Sequence, residues 1–153
     1  MKQNPFRMST DGCALLFNDH ILYCTDVGTV VEEPGVLKAL IRHPDFRVRA
    51  YVAAGFGVPT KILNMLAKDK DEHVLDALLV GLSTTEHVLR RLFSRPQYIT
   101  PSRCVTILER GNTPEDIVYA LSHHESKIVR MAVKKRIWSQ YCFRKYVSQL
   151  PHS

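Results

Sequence analysis

Apolar residues in this sequence recur in two interlocked series. The first series is Leu37, Leu63, Leu89 and Val118, at intervals of 26, 26 and 29 residues. The second series is Val48, Val74, Cys104 and Val129, at intervals of 26, 30 and 25 residues. Two series with nearly the same period predict a repeat protein in which each repeat contains two structural elements.

Both elements of each repeat are predicted to be short helices, because their apolar positions recur at intervals of three and four residues. Prolines stand at or near the start of first helices, where a missing N–H costs nothing; they are Pro34, Pro59 and Pro114. Residues able to cap exposed N–H groups precede the second helices; they are Asp45, Asp71, Thr100 and Ser126.

Glycines follow three of the second helices and predict left-handed residues at their ends; they are Gly55, Gly81 and Gly111. The last repeat has Arg136 in this slot, so its helix either runs on or ends differently. The longer intervals locate an insertion in residues 94–100, which contains Arg95 and Tyr98. This loop is a candidate contact site, and the alternative is neutral variation of a surface loop.

Two segments in these repeats carry a family resemblance. They are His43-Pro44-Asp45-Phe46-Arg47-Val48-Arg49-Ala50-Tyr51-Val52-Ala53 and Leu63-Asn64-Met65-Leu66-Ala67-Lys68-Asp69-Lys70-Asp71-Glu72-His73-Val74. With Pro59 between them, they resemble the leucine-rich repeat variant, a family related in style to HEAT and armadillo repeats. The resemblance implies an all-α, right-handed α-solenoid of about four HEAT-like helix pairs. It implies little about activity, since such repeats have many partners.

The ends of the chain are predicted to cap this solenoid, because stacked repeats expose a core at each end. Residues 1–33 form the N-terminal capping segment, either a degenerate helical repeat, which we favour, or a short β-hairpin around Asn18-Asp19. Residues 34–139 form the helical repeats. Residues 140–153 form a basic and aromatic C-terminal cap, and the length of the chain predicts a single domain.

Composition narrows the class of protein. Hydrophobic residues make up 45% of the sequence and charged residues 24%, as in ordinary globular proteins. No apolar run reaches the length of a membrane-spanning helix, and the N-terminus lacks the apolar stretch of a secretory signal. The four cysteines form no CxxC motif. We therefore expect reduced thiols, a cytoplasmic location and no membrane association.

Motifs for chemistry are missing from the sequence. It contains no phosphate-binding glycine loop, no GxSxG and no HExxH. Adjacent His123, His124 and Glu125 are interpreted as a polar junction between helices, since a zinc site would need a further ligand from elsewhere. We therefore expect a protein that is not an enzyme and has neither a metal nor another cofactor.

Charge is concentrated at the C-terminal end. Residues 126–153 contain seven Lys and Arg and no acidic residue, whereas residues 1–125 contain 14 basic and 15 acidic residues. Aromatic residues are interleaved with these cations. They indicate either a terminal helix that docks its aromatic side on the last repeat, which we favour, or a surface for single-stranded nucleic acid.

These observations favour a non-catalytic protein-interaction module, such as an adaptor or a small inhibitor or immunity-type protein, with an acidic protein partner. The alternative is a nucleic-acid-binding protein that uses the basic C-terminal end. Tyr98 and Arg103 are expected to anchor the partner without supporting the fold. The full predicted binding set is Arg47, Arg49, Arg90, Arg91, Arg95, Tyr98, Arg103, Lys127, Arg130, Lys134, Lys135 and Arg136.

Overall fold

The computed structural model describes residues 6–9, 15–17, 20–22 and 34–149. This part of the chain is mostly helical, as the repeat pattern predicts. Three short strands come first: β1 (Phe6–Met8), β2 (Leu15–Phe17) and β3 (His20–Leu22). The helices are α1 (Pro34–Leu40), α2 (Phe46–Ala54), α3 (Thr60–Leu66), α4 (Glu72–Val80), α5 (Glu86–Phe93), α6 (Pro101–Glu109), α7 (Glu115–Ser122) and α8 (Lys127–Val147).

The chain divides into two compact units, Met1–Ser94 and Arg95–Ser153. The strands and α1–α5 belong to the first unit, and α6–α8 belong to the second. The expectation of a single domain stays a prediction.

The described residues before α1 form strands. β1, β2 and β3 make an antiparallel sheet in that order, with Phe17 paired with His20 and Phe6 paired with Phe17. The helical repeat that we favoured for residues 1–33 is therefore wrong for these residues, which adopt extended backbone as in the hairpin alternative. β1 lies against α2, the Phe6 side chain is buried, and the Phe6 carbonyl is 3.1 Å from His43 Nε2.

Helix starts follow the predicted capping residues. Asp45 and Asp71 each accept a hydrogen bond of 2.9 Å from the backbone N–H two residues ahead, and Thr100 accepts one from Arg103 N. Ser126 occupies the N-cap position of α8 without a side-chain hydrogen bond. Asp45, Asp71 and Thr100 satisfy N–H groups that have no partner within the helix, so they help to set where their helices begin.

Glycine acts differently from the prediction at the ends of these helices. Gly55 and Gly81 have extended backbones, with φ of −64° and −60°, so the expected left-handed conformation is wrong. Among the described glycines, only Gly57 has a positive φ, of 72°. Gly81 is needed for space, because a Cβ there would lie 2.5 Å from the Ala53 carbonyl oxygen. At this position α4 and α2 approach too closely for a side chain.

Packing within the first unit links alternate helices. α2 packs along α4, and α3 packs against α5. Buried side chains from both helix series form the core; they include Val48, Val52, Leu63, Leu66, Val74, Leu78, Leu89 and Leu92. The apolar positions of the predicted repeats are therefore the core positions of this unit.

In the second unit, α8 packs against both α6 and α7. Val129 and Val133 of α8 are buried, as are Cys104 and Ile107 of α6 and Leu121 of α7. α8 does not end at Arg136 but continues to Val147, so the last helix runs on. Across residues 6–9, 15–17, 20–22 and 34–149, none of the helices combines the length and apolar character needed to cross a bilayer.

Candidate interaction surface

Two predicted binding arginines hold equivalent loops, one in each unit. In the first unit, Arg49 Nη1 donates to the carbonyls of His43 (2.7 Å) and Pro44 (3.1 Å), while His43 Nδ1 accepts from Asp45 N. The second unit repeats this geometry. Arg130 Nη1 donates to the carbonyls of His124 (2.7 Å) and Glu125 (2.6 Å), and His124 Nδ1 accepts from Ser126 N.

The repetition assigns Arg49 and Arg130 a structural role. Each guanidinium satisfies carbonyl groups in the loop that joins two helices, where the backbone has no helical partners. In the sequence, this loop is marked by a His and an Arg six residues apart, with the capping residue between them. The sequence pattern places both arginines among the exposed ligand-binding groups, and the structure shows that Nη1 of each also bonds to loop carbonyls of the protein itself.

Arg49 also forms an ion pair with Asp69, whose carboxylate lies 2.7 Å from Arg49 Nε. Burial alone would raise the pKa of Asp69. The hydrogen bonds from Arg49 and from backbone N–H groups outweigh it, so the pKa of Asp69 is lowered. Both side chains are mostly buried. This ion pair therefore helps to hold the first unit together.

Tyr98 does not form an exposed anchor. Only 1% of the residue is accessible to solvent, and the Arg103 guanidinium lies 4.2 Å from the centre of its ring. Arg103 Nη1 also donates to the Tyr98 carbonyl at 3.0 Å. The inserted loop therefore folds this ring into the protein interior, whereas the sequence pattern predicts it at the surface; its part in binding a partner stays a prediction.

The remaining predicted arginines before α8 have varied surroundings. Arg47 pairs with Asp45 at 2.7 Å, and Arg90 approaches Glu86 at 3.6 Å, both on the surface. Arg91 is half-buried and donates to the Asn64 carbonyl at 3.4 Å. Arg95 is half-buried in the inserted loop. These contacts do not bring the arginines together into one cationic cluster within either unit.

The cations of α8 also differ from one another in exposure and hydrogen bonding. Arg136 is half-buried and donates to the carbonyls of Leu108 (2.6 Å) and Arg110 (2.5 Å). Lys127, Lys134 and Lys135 are exposed. Within the part of the chain that the structure describes, no carboxylate forms an ion pair with these three lysines. They are the predicted cations best placed to meet an external partner.

The second half of α8 is exposed on every side. We call residues 137–146 the extension. Each of its side chains is exposed, including those of Trp138 (67%), Tyr141 (57%) and Phe143 (68%). The prediction that the aromatic residues of a C-terminal cap dock on the last repeat is therefore wrong for the described residues. Sequence reasoning noticed these aromatics but left them out of the binding set.

One side of α8 carries exposed apolar residues along its length. Ile128, Met131, Trp138 and Cys142 are exposed, and their spacing of three, seven and four residues puts them on one side of the helix. Lys135 falls on the same line, between Met131 and Trp138. We call these five residues the α8 stripe. The buried Val129 and Val133 lie on the opposite side, so their contacts leave the stripe open.

A groove of about 360 Å³ adjoins this side of α8 within the second unit. Its α6 wall includes Val105 and Leu108, and its α8 wall includes Ala132, Lys135 and Ser139. Gly111 lines one end, where a Cβ would meet no atom within 4 Å. Most of its surface is apolar, and Glu109, Lys135 and Arg136 add charged groups of both signs to its lining.

Possible metal ligands are not gathered among the described residues. Residues 6–9, 15–17, 20–22 and 34–149 contain no cluster of three His, Cys, Asp or Glu able to hold a metal ion. His123 contacts Ser122 and the Tyr119 ring on the surface. Burial raises the pKa of the Cys104 thiol, which disfavours the reactive thiolate.

No family model, curated protein or solved structure gives a significant match to this chain.

Proposed function

We propose that this chain is a non-catalytic protein-interaction module, such as an adaptor or a small inhibitor or immunity-type protein, and that α8 binds its partner. The observation that carries the proposal is the extension, which exposes Trp138, Tyr141, Phe143 and Tyr146 together. Large exposed apolar patches are typical of interaction sites, and Trp and Tyr are the residues that most often anchor protein interfaces.

The proposal keeps the right-handed α-solenoid of the leucine-rich repeat variant or HEAT-like type as its framework. Two observations support this architecture. Alternate helices pack together within the first unit, as in stacked helix pairs, and the His43–Arg49 loop recurs as the His124–Arg130 loop. In this account, the arginines of the loops hold the framework, and the exposed residues of α8 bind the partner.

Charge supports an acidic partner, and the proposal places the encounter in the cytoplasm. The exposed lysines of α8 lie among seven cations, with no acid between residue 126 and residue 153. Complementary charge speeds the encounter of two proteins and fixes their orientation. No metal or other cofactor is part of this mechanism.

Nucleic acid is the second candidate partner, and a specific observation favours it. The extension interleaves exposed aromatic rings with Arg144 and Lys145, the combination that stacks bases and pairs with phosphates. Such binding would weaken steeply with salt, because each phosphate contact releases counterions.

Affinity capture from lysate of the source cells, with and without nuclease, separates the two candidates. The full chain is compared with the double variant Trp138→Ala/Tyr141→Ala and with the control Leu82→Ala. Leu82 is a matched control because it is 78% exposed and lies in the first unit. Mass spectrometry measures the recovery of each captured protein.

The proposal expects a protein whose recovery survives nuclease, falls at least about tenfold with the double variant and is unchanged by the control. Recovery that disappears with nuclease would instead establish the nucleic-acid alternative. Equal recovery by the double variant and the wild-type chain would remove α8 as the binding site.

A further inference from the structure

The spacing of the α8 stripe suits a second helix. Ile128, Met131, Lys135, Trp138 and Cys142 follow one another at intervals of three, four, three and four residues. This alternation is that of the a and d positions of a heptad, at which helices pack side by side. Val129 and Val133 are buried on the opposite side of α8, so a helix that binds the stripe leaves their packing in place.

We infer that the α8 stripe binds an acidic amphipathic helix of a partner protein. This inference rests on the proposed function and adds the chemistry of the partner. Apolar residues of the partner helix contact Ile128, Met131 and Trp138. Acidic residues on its flanks pair with Lys127 and Lys134, which occupy the position that flanks each a residue in the heptad.

Lys135 sets the register of this pairing. It is exposed, and it lies between Met131 and Trp138 in the stripe itself. A lysine at one a position of a helix pair selects a partner with an acid opposite it, since an unpaired charge at a helical seam is costly. The partner helix therefore carries an acidic residue among its apolar positions.

The same charges argue against the other occupants of the stripe. In a second copy of α8, Lys127, Lys134 and Lys135 would face like charges. A membrane-surface helix separates its cations from its apolar face, whereas Lys135 interrupts the apolar line of α8. Single-stranded nucleic acid stacks on aromatic rings, but Ile128 and Met131 supply none.

Three synthetic helical peptides of about three heptads test the inference on the full chain. The first has Glu at its central a position, opposite Lys135, Leu at the other a and d positions, and Glu at the flanking e and g positions. The second replaces each Glu with Lys, and the third keeps Glu but replaces each Leu with Gln. Binding is followed by the anisotropy of the labelled peptide and by the fluorescence of Trp138, the only tryptophan in the chain.

We expect the acidic apolar peptide to bind at least about tenfold more tightly than either of the other two. The double variant Lys134→Glu/Lys135→Glu should reverse the preference toward the Lys peptide. Met131→Ser should weaken binding, while Leu82→Ser, which changes an exposed leucine in the first unit, should leave it unchanged.

The outcomes separate the inference from the function on which it rests. If the Glu and Lys peptides bound equally well and Met131→Ser weakened both, the preference for an acidic partner would be wrong. The stripe would still be a protein-interaction surface. An oligothymidine strand that displaces the acidic peptide and quenches Trp138 would overturn both. If the acidic apolar peptide leaves both signals unchanged, the inference is wrong.

Discussion

The helical framework, residues 34–136, and the extension, residues 137–146, use the same residue types for opposite purposes. In the framework, Tyr98 is buried beneath a guanidinium and Arg136 donates to two carbonyls. In the extension, Tyr141 and Arg144 are exposed. Residue type alone therefore does not identify a binding site, because an arginine or tyrosine also stabilises a loop when its polar groups find backbone partners.

The largest expected difference between the two regions concerns their tyrosines. Tyr98→Ala should lower the free energy of unfolding by about 3–5 kcal/mol, because it leaves a cavity in place of a buried ring. Tyr141→Ala should change it by less than about 0.5 kcal/mol, since it removes an exposed side chain. Chemical denaturation of both variants measures the contrast. Equal losses would mean that Tyr141 also packs against the framework.

Arginines provide the next contrast. Arg136→Ala should cost about 1–3 kcal/mol, because it removes charge-assisted hydrogen bonds to the carbonyls of Leu108 and Arg110 at the end of α6. Arg144→Ala serves as the matched control on the same helix and should have no measurable effect on thermal unfolding. If Arg136→Ala left the free energy of unfolding unchanged, Arg136 would not support the fold and would be available to bind a partner.

A smaller, pH-dependent effect distinguishes the framework of the first unit. Since the pKa of Asp69 is lowered in the folded protein, its contribution to stability is complete above the ordinary aspartate pKa of about 3.9. That contribution is lost as the pH falls from there through the folded-state pKa. The extension contains no carboxylate and adds nothing to this dependence.

Thermal unfolding of Asp69→Asn from neutral pH to about pH 3 measures the effect. The variant should be less stable than the wild-type chain at neutral pH, and the gap should narrow below about pH 4. The control variant Glu109→Gln changes an exposed residue in the second unit, and its stability should match that of the wild-type chain at every pH. A gap that is constant with pH would mean that Asp69 contributes through its shape alone.

Sequence periodicity predicted the helices well because each repeat relies on local signals. Asp45 and Asp71 cap the helices that follow them, and Leu63, Leu66 and Val74 lie in the core as their spacing indicates. The strands before α1 were harder to predict. Their pairing depends on contacts between segments, and β1 is positioned by the distant His43.

The candidate site was predicted less completely than the fold. The cationic character of α8 is visible in the sequence, but the direction of each guanidinium depends on the tertiary backbone around it. Arg49 and Arg130 therefore looked like ligand-binding groups. The α8 stripe was detectable from the three-and-four spacing of Ile128 and Met131, on the side opposite Val129. Its exposure depends on which neighbours the fold supplies.

Quenching of Trp138 fluorescence by acrylamide in the free, full-length chain tests the exposure of the extension most directly. Trp138 is the only tryptophan, so the signal reports on this region alone. With its side chain two-thirds exposed, quenching should approach that of a small soluble tryptophan analogue, and the emission should be that of an indole in water. A blue-shifted emission that acrylamide barely quenches would show instead that the aromatic residues are docked on the framework.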